Sequence, residues 1–222
     1  MIHDHRPDGD ARRYFGVYPA IVTNIVDPDS LGRIEVKFPW LGETGESDVR
    51  AWATLVSPYA EDDQGFQFLP SVDTQVLVAF EAGDLRRPYL LGATWNGQEA
   101  QPEAPAEAND IRIIKTRSGS VLEFNDAEGS AAITLSTSGG HKLKFDEGAS
   151  EITLTHSGGS VIKFTAAGAI EIQANSTVEL TAAAFNIHAA TSTFDGIVNC
   201  TTLIASAGVV SPSYTPGAGN VW

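Results

Sequence analysis

The residues best suited to catalysis are two carboxylate pairs, Asp126 with Glu128 and Asp146 with Glu147. A glycoside hydrolase needs two carboxyl groups that face one groove at a defined separation. Here both pairs fall in short turns rich in Asp, Glu and Gly, where such residues ordinarily face solvent. The sequence has no Ser–His–Asp constellation, Gly-rich phosphate loop or HExxH motif. We therefore expect no catalytic residue and no enzyme activity.

Several histidines have the chemistry of metal ligands. The His-Asp-His trio at residues 3–5 lies in a polar terminal stretch, which rarely forms a site by itself. His141 and His156 are in phase with apolar residues of neighbouring strands, so threefold symmetry would gather three copies of either on an axis. The alternative is a strand-end position near solvent. The prediction is no metal and no cofactor, with an axial ion at His141 or His156 left open.

The two carboxylate pairs, together with His141 and His156, belong to a repeat that runs from Ser118 to about Gln173. Three segments align within it: SGSVLEFNDAEGSAAITL, SGGHKLKFDEGASEITL and SGGSVIKFTAAGAIEIQ. Phe124, Phe145 and Phe164 recur in them at intervals of 21 and 19 residues. A period of about 20 residues is typical of a stacked-strand array, and the recurring glycines mark its turns.

Alternation within the repeat predicts strands with one apolar face. In KLKF, for example, Leu143 and Phe145 share a face and the lysines lie on the other. Each strand supplies two or three inward apolar residues, too few to build a core from one chain. Three copies wound about one axis would share an interior and leave no long sheet edge open. The expected trimer core consists of Leu122, Phe124, Ile133, Leu135, Leu143, Phe145, Ile152, Leu154, Ile162, Phe164, Ile170 and Ile172.

The distal part of the chain has very few charged residues. From Asn175 to Trp222 the only charged side chains are Glu179 and Asp195. In a narrowing trimeric shaft each charge would face its own copies, and opposed like charges destabilise strands. The stretches VEL, FNIHA and GIVNC keep strand character, which favours a shaft over the alternative, a disordered Ser/Thr tail. Cys200, the single cysteine, excludes an intrachain disulfide and is expected to be a small buried residue there.

The sequence before the repeat has the alternating pattern of short β-strands and no helical pattern. In RIEVKF, residues 33–38, Ile34, Val36 and Phe38 lie on one face and charged residues on the other. Five strands within about 80 residues are typical of a small barrel of the OB type. The predicted strands are residues 18–26, 33–38, 49–56, 74–80 and 88–95.

Charge limits what such a barrel can bind. The chain has a net charge of −14, and residues 14–97 contain five basic and twelve acidic side chains. A protein that binds single strands needs a basic groove lined with stacking aromatics, and phosphate binding without sequence preference relies on cations. Aromatic residues are present, but the electrostatic field of the acidic side chains would repel phosphates. We therefore expect no nucleic-acid recognition and interpret the barrel as an assembly module.

The ordered motifs of the barrel resemble a known family. They are Asp27-Pro28, Leu31-Gly32-Arg33, Phe38-Pro39-Trp40, Trp52, Phe68-Leu69-Pro70, Val76-Leu77-Val78-Ala79-Phe80, Gly83-Asp84, Arg87-Pro88 and Gly92. This series, over residues 15–97, resembles the OB domain of phage tail baseplate spike proteins (gpV-like). The same pattern occurs in the related VgrG spikes of type VI secretion and other contractile injection machines.

The resemblance implies an all-β fold: an N-terminal OB-fold barrel followed by an intertwined trimeric β-helix, a β-prism needle. The expected divisions are an N-terminal extension (1–13), the OB domain (14–97), an Ala/Glu/Pro-rich linker (98–110) and the spike with its tip (111–222). The linker leaves no room for the lysozyme domain of some family members. The implied function is a cell-puncturing spike driven forward by sheath contraction. The alternative is a β-helical tailspike that binds or depolymerises polysaccharide.

The resemblance also implies partners. Only 13 residues precede the barrel, so we expect a separate baseplate hub protein, together with other baseplate and tube components. The last histidine, His188, has no HxH partner, so no apical iron is expected. The ending instead resembles blunt spikes capped by a PAAR-type tip protein, with Val221 and Trp222 as the docking patch.

The expected location follows from the same resemblance. Without a signal peptide or an apolar run of 18 residues, the homotrimer is expected to assemble in the bacterial cytoplasm. It would become part of a virion tail or phage-like particle that meets the target cell envelope. Phage, tailocin and toxin-delivery machines are left undistinguished.

Overall fold

A computed structural model describes residues 13–44 and 47–211, and these residues are all-β. Within those ranges no helix is long and apolar enough to cross a membrane. The first nine strands are β1 (Val17–Asn24), β2 (Arg33–Lys37), β3 (Glu43–Thr44), β4 (Ser47–Asp48), β5 (Arg50–Leu55), β6 (Ala60–Glu61), β7 (Gln64–Gly65), β8 (Gln75–Phe80) and β9 (Pro88–Ala93).

Five of these strands close into a barrel in the order β1-β2-β5-β9-β8. All pairs are antiparallel except β5 with β9, which run parallel through Thr54 opposite Tyr89 and Leu55 opposite Leu90. A closed five-stranded barrel of this connectivity is the OB architecture. The predicted N-terminal barrel is therefore confirmed. Two short hairpins, β3–β4 and β6–β7, are separate from the barrel wall.

The alternating strands bury their apolar faces inside the barrel. In β2 and its continuation Ile34, Val36 and Phe38 are buried, as the RIEVKF pattern predicts, while the charged residues between them remain partly exposed. At one end an aromatic cluster packs on this core: Tyr18 stacks on Trp40 with centroids 4.7 Å apart, and Trp40 Nε1 donates to the Pro19 carbonyl at 2.8 Å. The buried core consists of Ala20, Val22, Ile34, Val36, Phe38, Ala53, Val76, Val78, Phe80 and Leu90.

The turn between β1 and β2 is fixed by one carboxylate. Asp27 Oδ2 accepts Nε of Arg33 at 2.8 Å and the backbone N–H groups of Leu31 and Arg33. Asp27 Oδ1 accepts Arg33 Nη2 at 2.8 Å and the N–H of Asp29 at 3.0 Å. The turn also places Gly32 at a φ of +71°, which favours glycine. The Asp-Pro and Gly-Arg motifs are thus two halves of one closed turn.

After the barrel the chain forms a seven-stranded antiparallel meander. Each strand pairs with the next in sequence order, so every connection is a tight turn. Its strands are β10 (Ile111–Lys115), β11 (Val121–Asn125), β12 (Ala132–Ser136), β13 (Lys142–Asp146), β14 (Glu151–Thr155), β15 (Val161–Phe164) and β16 (Ile170–Gln173).

The chain divides into two compact units, at Asn175 and Ser176. In the second unit residues 176–211 contain no strand, although the sequence of VEL, FNIHA and GIVNC predicts strand character. Cys200 is exposed, so the expectation that it is buried is wrong for the single chain. The reason is physical: strands need neighbours to satisfy their backbone groups, and residues 176–210 form no backbone–backbone hydrogen bond within the described chain.

Candidate assembly surface

The strand register of the meander aligns apolar side chains into two columns on one face. Both columns follow from side chains that alternate between faces, combined with pairings that keep the same phase. The first column runs Ile114, Leu122, Leu135, Leu143, Leu154, Ile162, Ile172. The second column runs Phe124, Ile133, Phe145, Ile152, Phe164, Ile170, and starts opposite Arg112.

All twelve residues predicted for a trimer core lie in these two columns. Sequence reasoning missed Ile114, because it lies before the repeat; its place in β10 directly opposite Leu122 is set by register. Aromatic and β-branched pairs across strands stabilise such a ladder. The two columns together are called the apolar face below.

In the single chain most of the apolar face is uncovered. Leu135 is 53% exposed, and every member except Leu122 and Leu143 is an exposed residue. Contiguous apolar surface of this kind on a soluble protein marks an interaction site. The two columns contain no charged side chain. The nearest charged position in the same register is Arg112 on β10, opposite Phe124 at the start of the second column.

The opposite face of the meander carries the charged side chains of β11 to β16, and four of them form two ion pairs. Lys163 Nζ lies 2.8 Å from Glu151 Oε1, and Lys144 pairs with Asp146. The hydrogen bond that Lys163 donates to Glu151 raises the pKa of Lys163, and the one that Lys144 donates to Asp146 lowers the pKa of Asp146. The two faces therefore differ sharply: one has paired charges suited to water, the other has uncovered hydrocarbon.

Glycine-containing turns hold the strands in register. Gly119, Gly140 and Gly159 have φ values of +87°, +89° and +92°, in the region that favours glycine. At the opposite edge two turns approach closely, because a Cβ on Gly148 would lie 2.5 Å from the Gly129 carbonyl oxygen. These positions explain why glycine recurs with the repeat period.

The two aspartates considered for catalysis, Asp126 and Asp146, are bound to local partners. Asp126 Oδ2 pairs with Arg112 Nη1 at 2.7 Å, and Asp146 accepts the N–H of Ala149 at 3.0 Å besides its bond to Lys144. A glycosidase general acid requires a raised pKa. The pKa of Asp146 is lowered, chiefly by Lys144, which is the opposite of that requirement. Nothing in their geometry favours a depolymerase.

The two histidines of the repeat meet at one edge of the meander. The rings of His141 and His156 lie 4.6 Å apart, both in turns outside β13 and β14. His141 Nδ1 accepts the N–H of Ser157 at 3.3 Å, and His156 Nδ1 accepts that of Gly158 at 3.0 Å. Both histidines therefore lie in turns at one edge of the sheet, outside the two strands that they flank.

Two further predictions concern residues that the structure does not describe. Val221 and Trp222, predicted to dock a tip protein, and the trio at residues 3–5 fall outside the described residues. Within residues 13–44 and 47–211 no group of three or more His, Cys, Asp or Glu side chains is arranged to hold a metal ion.

Comparison with known proteins connects the barrel to an injector family. The family model of the type VI secretion system/phage-baseplate injector OB domain matches residues 18–95. The type VI secretion system spike protein VgrG3 of Vibrio cholerae is 26% identical over 113 residues, which cover 48% of this chain and 11% of that protein. Spike protein VgrG1a of Pseudomonas aeruginosa is 26% identical over 102 residues, covering 44% of this chain and 16% of that protein.

A third relative, the actin cross-linking toxin VgrG1 of Vibrio cholerae, is 26% identical over 113 residues, covering 48% of this chain and 10% of that protein. The chain thus spans only a small part of the length of these curated relatives. The matched region contains the closed barrel from β1 to β9 except for Val17, the first residue of β1. The barrel region of this chain therefore matches the injector OB domain of type VI secretion systems and phage baseplates, and the chain is similar to VgrG spike proteins.

Proposed function

We propose that this chain is the puncturing spike of a contractile phage tail or phage-like injection machine and works as a homotrimer. One observation carries the proposal. The barrel is followed by a seven-stranded sheet with thirteen apolar side chains arranged in two columns, and the single chain leaves most of them exposed. Three such faces turned toward one axis bury each other and leave the paired charges of the opposite faces in water.

The task of the trimer is mechanical. Six strand-to-strand steps at about 4.8 Å each give a hydrogen-bonded ladder on the order of 30 Å long. Contraction of a sheath would push the spike forward, and the continuous ladders with a shared dry interior would transmit that force to the target envelope. No chemical step is required of any side chain.

The proposal includes the continuation of the needle and its partners. Residues 176–222 form the narrowing intertwined part, in line with their nearly charge-free composition. A separate hub protein holds the barrels, and a PAAR-type tip protein docks on Val221 and Trp222, a suggestion that rests on the sequence alone. Assembly takes place in the bacterial cytoplasm before the particle is released.

Mass measurement of the purified full-length chain under native conditions tests the proposal. We expect three copies per particle, and we expect the trimer to survive SDS without boiling because unfolding requires all three chains to separate. A soluble folded monomer would refute it. Incubation with envelope polysaccharides addresses the tailspike alternative, and cleavage or tight binding of a polysaccharide would favour that alternative instead.

A further inference from the structure

A second uncovered surface lies on the barrel, far in sequence from the apolar face. A groove of about 820 Å³ opens between the β1–β2 turn and the segment that carries the β6–β7 hairpin. Its apolar lining includes Ile25, Val26, Leu31, Tyr59, Phe66 and Leu69. We call this surface the hairpin groove. Tyr59 and Phe66 line this groove and belong to none of the family motifs noted in the sequence, whereas Phe68, which stacks on Phe66 beside the groove, belongs to the Phe68-Leu69-Pro70 motif.

The aromatic side of the hairpin groove is exposed and stacked. Phe66 is 58% exposed and Phe68 is 64% exposed, and their rings stack with centroids 6.5 Å apart. Tyr59 packs edge-on against Phe66 at 6.4 Å. Aromatic side chains of this kind are the residues that most often anchor protein–protein interfaces.

The hairpin holds these rings in place before any partner binds. Tyr59 Oη donates to Gln64 Oε1 at 2.6 Å, and the N–H of Phe66 donates to the Tyr59 carbonyl at 3.0 Å. Gly65 permits this close crossing, because a Cβ there would lie 2.6 Å from the Tyr59 carbonyl oxygen. A preformed aromatic surface loses little conformational entropy on binding.

The charged side chains around the hairpin groove are acidic except for Arg33. Glu61 and Asp63 line it and Asp62 lies at the hairpin tip, and within the described residues none of the three forms an ion pair. Arg33, the cation of the groove, is already bonded to Asp27 and Asp29 at 2.8 and 2.6 Å. The surface is therefore apolar with an acidic rim.

We propose that the hairpin groove docks a different protein, one that inserts apolar side chains and surrounds them with Lys or Arg. A second copy of this barrel is a poor occupant because its cations are engaged in ion pairs with their own acids, as in Lys37 with Asp48, Arg50 with Glu35 and Arg87 with Glu81. Like charges would also meet if two hairpins approached. The inference deepens the proposed function, on which it rests only in assuming that the chain works inside a larger assembly.

Hydroxyl-radical footprinting tests this assignment on the intact protein. It compares the purified full-length chain with injection particles isolated from the bacterium that produces it. We expect Tyr59, Phe66 and Phe68 to be labelled in the isolated chain and protected in the particle, with exposed Phe15 as the reference for labelling in the isolated chain. Protection already present in the isolated oligomer would show that another copy covers the groove. Labelling in both samples would show that nothing docks there, and either result overturns the proposal.

Charge reversal provides the second test. The variant Glu61→Lys with Asp63→Lys should lower incorporation of the chain into particles by about tenfold or more. The matched control, Glu128→Lys with Glu147→Lys, changes the same charge in turns of the meander and should incorporate normally. Native mass measured on each variant separates the two hypotheses. If the groove variant is still a trimer but is not incorporated, the groove is needed for docking. If the natural chain itself is not a trimer, the proposed needle is wrong, whatever the groove binds. Normal incorporation of the groove variant refutes the inference.

Discussion

Asp27 shows how a single side chain can fix a turn that the rest of the barrel depends on. Its side chain is 3% exposed, yet its two oxygens accept five hydrogen bonds from Arg33, Leu31 and Asp29. The Arg33 guanidinium also lies over the Trp52 ring, 5.7 Å from its centre. Because donors favour the charged carboxylate, the pKa of Asp27 is held well below its ordinary value, with the Arg33 side chain as the main cause.

We predict that Asp27→Asn lowers the melting temperature at neutral pH, because the amide removes the charge and turns a donor toward the N–H groups it should accept. The control is Asp29→Asn: Asp29 is 67% exposed and its side chain bonds only to Arg33, so its loss should matter much less. Thermal unfolding followed by circular dichroism measures both. Equal melting temperatures for the two variants would contradict the role assigned to Asp27.

The same lowered pKa fixes the direction of the pH effect. A carboxylate with a depressed folded pKa stabilises the fold above its unfolded value, here 3.8, and loses that contribution as the pH falls toward the folded value. The difference in melting temperature between the natural chain and Asp27→Asn should therefore be constant from neutral pH to about pH 5 and shrink below about pH 4. Other shifted acids, such as Asp84 with a pKa of about 2, are common to both proteins and cancel.

At the scale of single residues, some features can be predicted from the sequence and others cannot. The Asp-Pro and Gly-Arg motifs predict a turn, since Pro and Gly restrict the backbone locally. The contact between Tyr59 and Phe66 could not be predicted, because residues 57–74 show no alternation and the two rings meet across the β6–β7 hairpin. The histidine hydrogen bonds at Nδ1 likewise depend on turn geometry that spacing does not encode.

The meander shows which parts of an element follow from pattern alone. Period-2 alternation in β11 to β16 places every predicted core residue on one face, because a one-residue slip would move a whole strand to the wrong side. The pattern could not predict that β10 belongs to the same sheet, since it precedes the repeat. It also could not predict that residues 176–211 lack strands in one chain, because pairing depends on partners.

The two faces of β14 provide an element-scale prediction. Leu154→Asp places a carboxylate in the apolar face between Leu143 and Ile162, where burial of an unpaired charge costs several kcal/mol. We expect this variant to lose the trimer in native mass spectrometry. The barrel should remain folded, because its buried core contains no residue of the meander.

Thr153→Asp is the matched control for this experiment. Thr153 is the neighbouring residue on the same strand, but it faces the polar side between Lys144 and Lys163. A carboxylate there meets two cations, so the trimer should persist with unchanged mass. If Leu154→Asp also forms a normal trimer, the apolar face is not the interior of the assembly.

Considered as a whole, the chain separates its charge from its apolar surface along its length. The barrel carries most of the ion pairs, the meander has one charged and one apolar face, and the distal segment has almost no charge. Net charge keeps such a protein soluble, whereas the interior of an assembly excludes it. This gradient is encoded in the composition and can be predicted from the sequence, although the strand pairing that uses it cannot.

The distal segment gives the whole-molecule prediction. Residues 176–210 contain no strand and no backbone–backbone hydrogen bond, yet they expose eleven large apolar side chains and carry only two charges. Such a composition differs from that of disordered tails, which are charged and poor in apolar residues. Hydrogen exchange of the purified oligomer should therefore find the amides of this segment protected for minutes or longer, because pairing between chains would supply the bonds that one chain lacks.

The matched control for that measurement lies within the same molecule. The linker at residues 98–108 also lacks strands but is rich in Ala, Glu and Pro, so its amides should exchange at once. Amides of β12 to β14 should be the slowest, since both of their edges are already paired within the chain. If residues 176–210 exchange as fast as the linker while the oligomer contains three chains, the needle ends with the meander, and force is delivered by its seven strands alone.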